Sequence, residues 1–149
     1  MPLPGRDLLI VSDECTKDDG ADWPKMTWVV DNRDETNPVP ISTFPLPPVE
    51  VFAKRGGRYG SHNLYENYPS EQGFKSDNLI FATFFNGGLR IFDLTNPLQP
   101  KEAAAFVPPA PQGSRTGTIQ INDVWVDENG IVYTVDRHAG GLYILEMDF

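Results

Sequence analysis

The sequence predicts an all-β fold, a partial β-propeller of about two and a half four-stranded antiparallel blades. Three observations predict it. Fourteen prolines and 13 glycines make up about 18% of the 149 residues, above the average of roughly 12%. That density argues against a helical bundle, because proline removes a backbone donor and clashes inside helices. The apolar runs are strand-length and rich in β-branched and aromatic residues. The same strand-and-turn string also recurs along the chain.

The runs are 8–11, 27–30, 79–84, 89–92, 124–126, 131–135 and 142–145. Turn residues bound them. Asn129-Gly130 lies between Val126 and Ile131, Asn86-Gly87-Gly88 between Phe84 and Leu89, and Gly140-Gly141 before Leu142. Asn and Gly tolerate the positive φ that tight hairpins need, so consecutive runs read as hairpins. Lys101 to Phe106 reads as a strand or irregular segment, with a helical turn as the lesser alternative, since Pro108-Pro109 follows.

The repeat is read by alignment. Asp7-Leu8-Leu9-Ile10-Val11 matches Asp77-Asn78-Leu79-Ile80-Phe81 and Asn129-Gly130-Ile131-Val132-Tyr133. A second strand follows in each unit, at 28–31, 89–93 and 142–146. The first two units continue into Asn37-Pro38 and Asn96-Pro97, then into a further strand, 41–45 and 102–108. One more strand, 62–66 and 121–127, precedes the second and third units. Four strands per unit is the pattern of propeller blades. The units run approximately 1–56, 57–111 and 112–149, within one domain. The first starts at its second strand and the third stops short. Since propellers typically need about four to eight blades, either oligomerisation or further chain completes the arc. A β-sandwich and an open β-solenoid are the alternative architectures.

The strings 79–93, Asn96-Pro97, Phe106-Val107-Pro108-Pro109, 119–127 and 140–146 resemble the LVIVD-repeat family of β-propeller proteins. The similarity is to the C-terminal portion of longer members. It implies a propeller and brings no particular activity.

Twelve basic and 21 acidic residues give a net charge of −9, which disfavours phosphate backbones. Nucleic acid is therefore not an expected partner. The one basic cluster, Lys54, Arg55 and Arg58 around Gly56-Gly57, reads as a loop. No run approaches the roughly 18 apolar residues of a membrane span. The single cysteine, Cys15, excludes an internal disulfide. The first residues lack the charged and apolar regions of a signal peptide, so the default location is cytoplasmic. An upstream signal in a longer protein would make it extracellular.

His62 is the most suggestive residue. It starts an innermost strand, where imidazoles can hold a metal. Glu66 shares its face, about 13 Å along an extended strand. Asn63, Asn122 and Asp123 are the further channel-lining candidates, Asn122 being the counterpart of His62 one unit later. His138, in the turn Asp136-Arg137-His138-Ala139-Gly140-Gly141, is the other histidine. His62, Glu66 and His138 form the candidate metal set, and a divalent metal is the cofactor it would take. The plainer reading makes His62 a hydrogen-bonding residue between blades and His138 a turn residue. No metal-spacing motif joins them.

The loop 13–22 carries five carboxylates but fails the EF-hand spacing, and reads as a solvated acidic loop. Cys15 within it has acidic neighbours that disfavour the thiolate. Asp31 and Asp93 precede Asn-Pro turns and read as turn-forming residues. Serine-hydrolase, dinucleotide and nucleotide-triphosphate motifs are absent from the sequence.

Two functional classes remain. The first is a binding or scaffold module with loops on a rigid frame, acting on a small-molecule or protein ligand. The second is a metal-dependent enzyme with its site in the channel around His62. A homo-oligomer is expected in either case, because an open arc leaves blade faces and edges exposed.

Overall fold

The computed structural model describes residues 1–67 and 70–147. Three antiparallel sheets follow one another along the chain. The first contains β1 (Pro2–Leu3), β2 (Leu8–Ser12), β3 (Thr27–Asp31) and β4 (Val39–Thr43). The second contains β5 (Leu79–Thr83), β6 (Leu89–Asp93) and β7 (Lys101–Phe106). The third contains β8 (Ile121–Val126), β9 (Ile131–Asp136) and β10 (Leu142–Glu146). Every strand pairs with its neighbour in sequence. The fold is all-β, in blade-like meanders that do not close into a barrel. Its only α-helical element among the described residues is one turn, α1 (Val49–Phe52).

The pairing registers repeat. The shift between β3 and β4 falls after Val29, and that between β6 and β7 falls after Ile91. Both residues sit two positions before the aspartate that leads into an Asn-Pro turn. A bulge at the same place in two units is a geometric signature of repetition. Lys101–Phe106 is a strand, as the principal reading expects.

Two inner strands differ from expectation. The first sheet does not begin at its second strand. Pro2–Leu3 pairs with Leu8 and Leu9, and the Met1 amino group donates to the Ile10 carbonyl at 2.8 Å. The Ile10 N–H donates back to the Met1 carbonyl at 2.8 Å. Proline lacks a donor, which confines it to a strand edge such as this one. In the second unit, residues 62–66 run alongside β5 without forming a regular strand. Leu64 bridges Ala82, and His62 N–H donates to the Thr83 carbonyl at 2.9 Å. The Asn63 N–H goes to the Thr83 hydroxyl, at 3.0 Å, instead of to a backbone carbonyl. That side-chain substitution breaks the ladder.

The core lies between the sheets. Leu8, Ile10, Val29 and Phe44 of the first unit pack against Ile80, Ala82, Phe84 and Phe92 of the second. On the other side, Phe81, Leu89 and Ile91 pack against Ile121, Val124, Val126 and Val132 of the third. Within the middle sheet β5 and β6 are therefore buried on both faces, and they read as near-continuous apolar runs for that reason, while the edge strand β7 is largely exposed. The outer sheets alternate: β10 runs exposed, half-buried, exposed along its length. Burying each such large apolar side chain contributes roughly 1.5–3 kcal/mol, so stacking of sheets holds the arc together.

Candidate functional site

Residues of the 62–66 segment, β2 and β8 come together around a cavity of about 420 Å³. His62, Asn63, Glu66 and Asp123 line it, together with Met1 and the edge of β2 at Ile10 to Ser12. Four of the sequence-derived candidates thus meet at one hollow. Asn122 contributes its backbone elsewhere, its carbonyl accepting the Thr83 hydroxyl at 3.2 Å. The Asp123 carboxylate accepts the Val124 N–H at 2.9 Å.

His62 is held closely. Its ring stacks on Phe85 with centroids 4.5 Å apart and planes 21° from parallel. Its Nδ1 lies 3.6 Å from Glu14 Oε1, and the side chain is only 13% exposed. Burial lowers its pKa below the ordinary histidine value; Glu14 and Asp123 oppose that shift, while Arg137 and Arg58 add to it. The imidazole is therefore mainly neutral at neutral pH.

Phe85 is the residue that sequence reasoning missed. It sits at φ +46°, fully buried, and makes single bridges to both Tyr59 and Ile121. Its carbonyl accepts the N–H of Gly88 and of Ile121, both at 3.0 Å. It thereby ties the second unit to the third. The guanidinium groups of Arg58 and Arg137 lie 5.4 and 5.8 Å from its ring centroid. The available signal is a large aromatic placed directly before Asn86-Gly87-Gly88, where a hairpin ordinarily turns through polar residues.

His138 does not join His62. It lines a separate cavity of about 450 Å³, with Arg58, Arg115 and Arg137 among its neighbours. Its backbone N–H donates to Asp136 Oδ2 at 3.0 Å, as a turn residue's would. Among the described residues, no group of three or more histidine, cysteine, aspartate or glutamate side chains could hold a metal ion. What the structure brings together of the candidate metal set is His62 and Glu66, beside Asp123.

The acidic loop is tied to the frame. Asp22 accepts N–H groups of Thr16 and Lys17 at 2.8 and 3.2 Å and the Cys15 thiol at 3.3 Å. Burial, and then the Asp22 hydrogen bond, push the Cys15 pKa up to about 11. The thiol stays protonated, which removes it as a nucleophile. Glu14 reaches Arg58 at 3.1 Å, so this loop also sets the charge beside His62. Asp31 and Asp93 accept the N–H two residues on, at 3.1 and 2.7 Å, and are turn formers.

A scan of protein-family models finds no match to the chain, and a comparison with curated proteins finds no significant one.

Proposed function

We propose that the chain is a binding module, an LVIVD-repeat-like propeller segment that takes a ligand at the cavity between its inner strands. One observation carries this reading. His62, Asn63, Glu66 and Asp123 come from two different units, yet line one polar hollow on a frame of packed sheets. Binding sites on rigid elements are more sharply defined than sites on free loops. The two carboxylates and the neutral imidazole favour a ligand rich in hydrogen-bond donors.

The reading includes self-association. Leu142 and Ile144 are 56% and 62% exposed. Register places them beside Val135 and Tyr133 on one face of the third sheet. Val11 is exposed on the first sheet, opposite Trp28. In a stacked arc these are the two faces that a further blade covers, and a second copy of the chain supplies such blades.

A metal-dependent enzyme is the second reading, favoured by the neutral His62 beside Glu14 and Asp123. Native mass spectrometry of the untagged chain separates the two. The expected spectrum shows a multimer without a stoichiometric metal. A metal present in each chain and lost in His62→Ala would overturn the binding-module reading in favour of the enzyme. A monomer would overturn the self-association.

A further inference from the structure

The cavity that holds His138 gathers positive charge in a chain whose net charge is −9. It lies where loops of all three units meet. Arg58 comes from the loop after α1, Arg115 from the segment between β7 and β8, and Arg137 and His138 from the turn after β9. Gln120 and Asp18 complete the wall. Three guanidinium groups thus face one carboxylate.

The hollow is built, not merely lined. Gln120 holds two of the arginine-bearing segments at once. Its Oε1 accepts the Arg58 N–H at 2.8 Å, and its carbonyl accepts the Arg137 N–H at 2.8 Å. Both guanidiniums lie over the Phe85 ring, within the range of a cation–π attraction. Asp136, the carboxylate next in sequence to Arg137, is committed elsewhere. It accepts the N–H groups of Gln120, His138, Ala139 and Gly140 at 2.7, 3.0, 2.7 and 2.7 Å. Arg58 is paired with Glu14. Among the described residues, Arg115 and Arg137 take part in no ion pair.

We propose that this hollow is a binding site for a small multivalent oxyanion, a phosphate or polycarboxylate group. Guanidinium forks match both geometries with paired, charge-assisted hydrogen bonds. Asp18 and Glu14 offset only part of this positive charge, and a bound dianion relieves the repulsion that is left. A volume of about 450 Å³ lies within the range of small-molecule sites, roughly 300–1,000 Å³. The overall negative field repels an extended polyanion, so the ligand is a small one.

The test is isothermal titration calorimetry of the full chain with pyrophosphate and with citrate, against chloride at equal ionic strength. The site predicts saturable binding of at least one of the two, and the tighter of them identifies the headgroup. Arg115→Ala and Arg137→Gln should each weaken binding roughly tenfold, as expected for loss of a hydrogen bond to a charged group. Asp18→Asn, which keeps the backbone bridge to Arg58, should tighten it several-fold. That variant decides the matter even where an arginine variant folds poorly. Lys101→Ala, which removes an exposed charge outside the hollow, should leave anion binding unchanged, which separates the site from a general charge effect. Binding no better than chloride, or binding indifferent to Asp18→Asn and Arg115→Ala, overturns the proposal.

Discussion

At the scale of single residues, His62 carries the clearest consequence. Burial against Phe85 holds its folded pKa below the ordinary value near 6.5. The unfolded chain therefore binds a proton that the folded chain refuses. The sign follows from proton linkage: stability from this group is complete above about pH 7 and falls as pH drops from about 6.5 through the lowered folded value. Urea midpoints at about pH 7.5, 6.5 and 5.5 should decline on acidification. His62→Phe preserves the stack on Phe85 and removes the titration, so its decline over that window should be smaller. An equal decline in both proteins would show that His62 is not the linked group. Parts of this site were legible beforehand. A histidine at the start of an inner segment, with Asn63, Glu66 and Asp123 nearby, follows from the repeat alignment. The pairing with Glu14 does not, because a contact 48 positions apart depends on how the acidic loop folds back. Phe85 was hidden for a related reason: its role rests on backbone bridges to two other segments, which side-chain chemistry does not announce.

At the scale of elements, the turn glycines show how one motif takes different weights in different units. Gly88 closes the hairpin between β5 and β6, its carbonyl accepting the Phe84 N–H at 2.8 Å. Gly141 has the corresponding place between β9 and β10, accepting the Asp136 N–H at 2.9 Å. Both have positive φ, +82° and +71°. A Cβ at Gly88 would lie 2.3 Å from the Phe106 carbonyl oxygen of β7, whereas at Gly141 nothing lies within 4 Å. Gly141→Ala should thus cost only the left-handed backbone penalty, about 1 kcal/mol. Gly88→Ala adds a backbone clash and should cost about 3 kcal/mol or more. Chemical denaturation of the two variants checks the difference, and equal losses would contradict the packing of β7 against this turn. The sequence predicts both hairpins, because Asn and Gly clusters between β-branched runs are local signals. It does not predict the two-residue β1 or the broken ladder at 62–66. The first rests on the reciprocal hydrogen bonds of Met1 with Ile10, and the second on the Thr83 hydroxyl that intercepts the Asn63 N–H.

At the scale of the whole molecule, the asymmetry of burial governs behaviour. The middle sheet is covered on both faces, while the first and third are each covered on one. Leu142 and Ile144 project from the open face of the third sheet and contribute little to the stability of a single chain, being more than half exposed. Replacing both with glutamate should therefore leave the unfolding midpoint of an isolated chain nearly unchanged, since exposed substitutions usually shift stability by no more than about 0.5 kcal/mol. The same change buries charge wherever that face meets another blade, which is strongly unfavourable without a partner. Sedimentation velocity over a concentration series should accordingly show association by the wild-type chain and a concentration-independent monomer for Leu142→Glu/Ile144→Glu. Association that persists in the double variant would place the contact on the first sheet or on a strand edge, and a wild-type chain that stays monomeric throughout would mean that the open faces tolerate water without a partner.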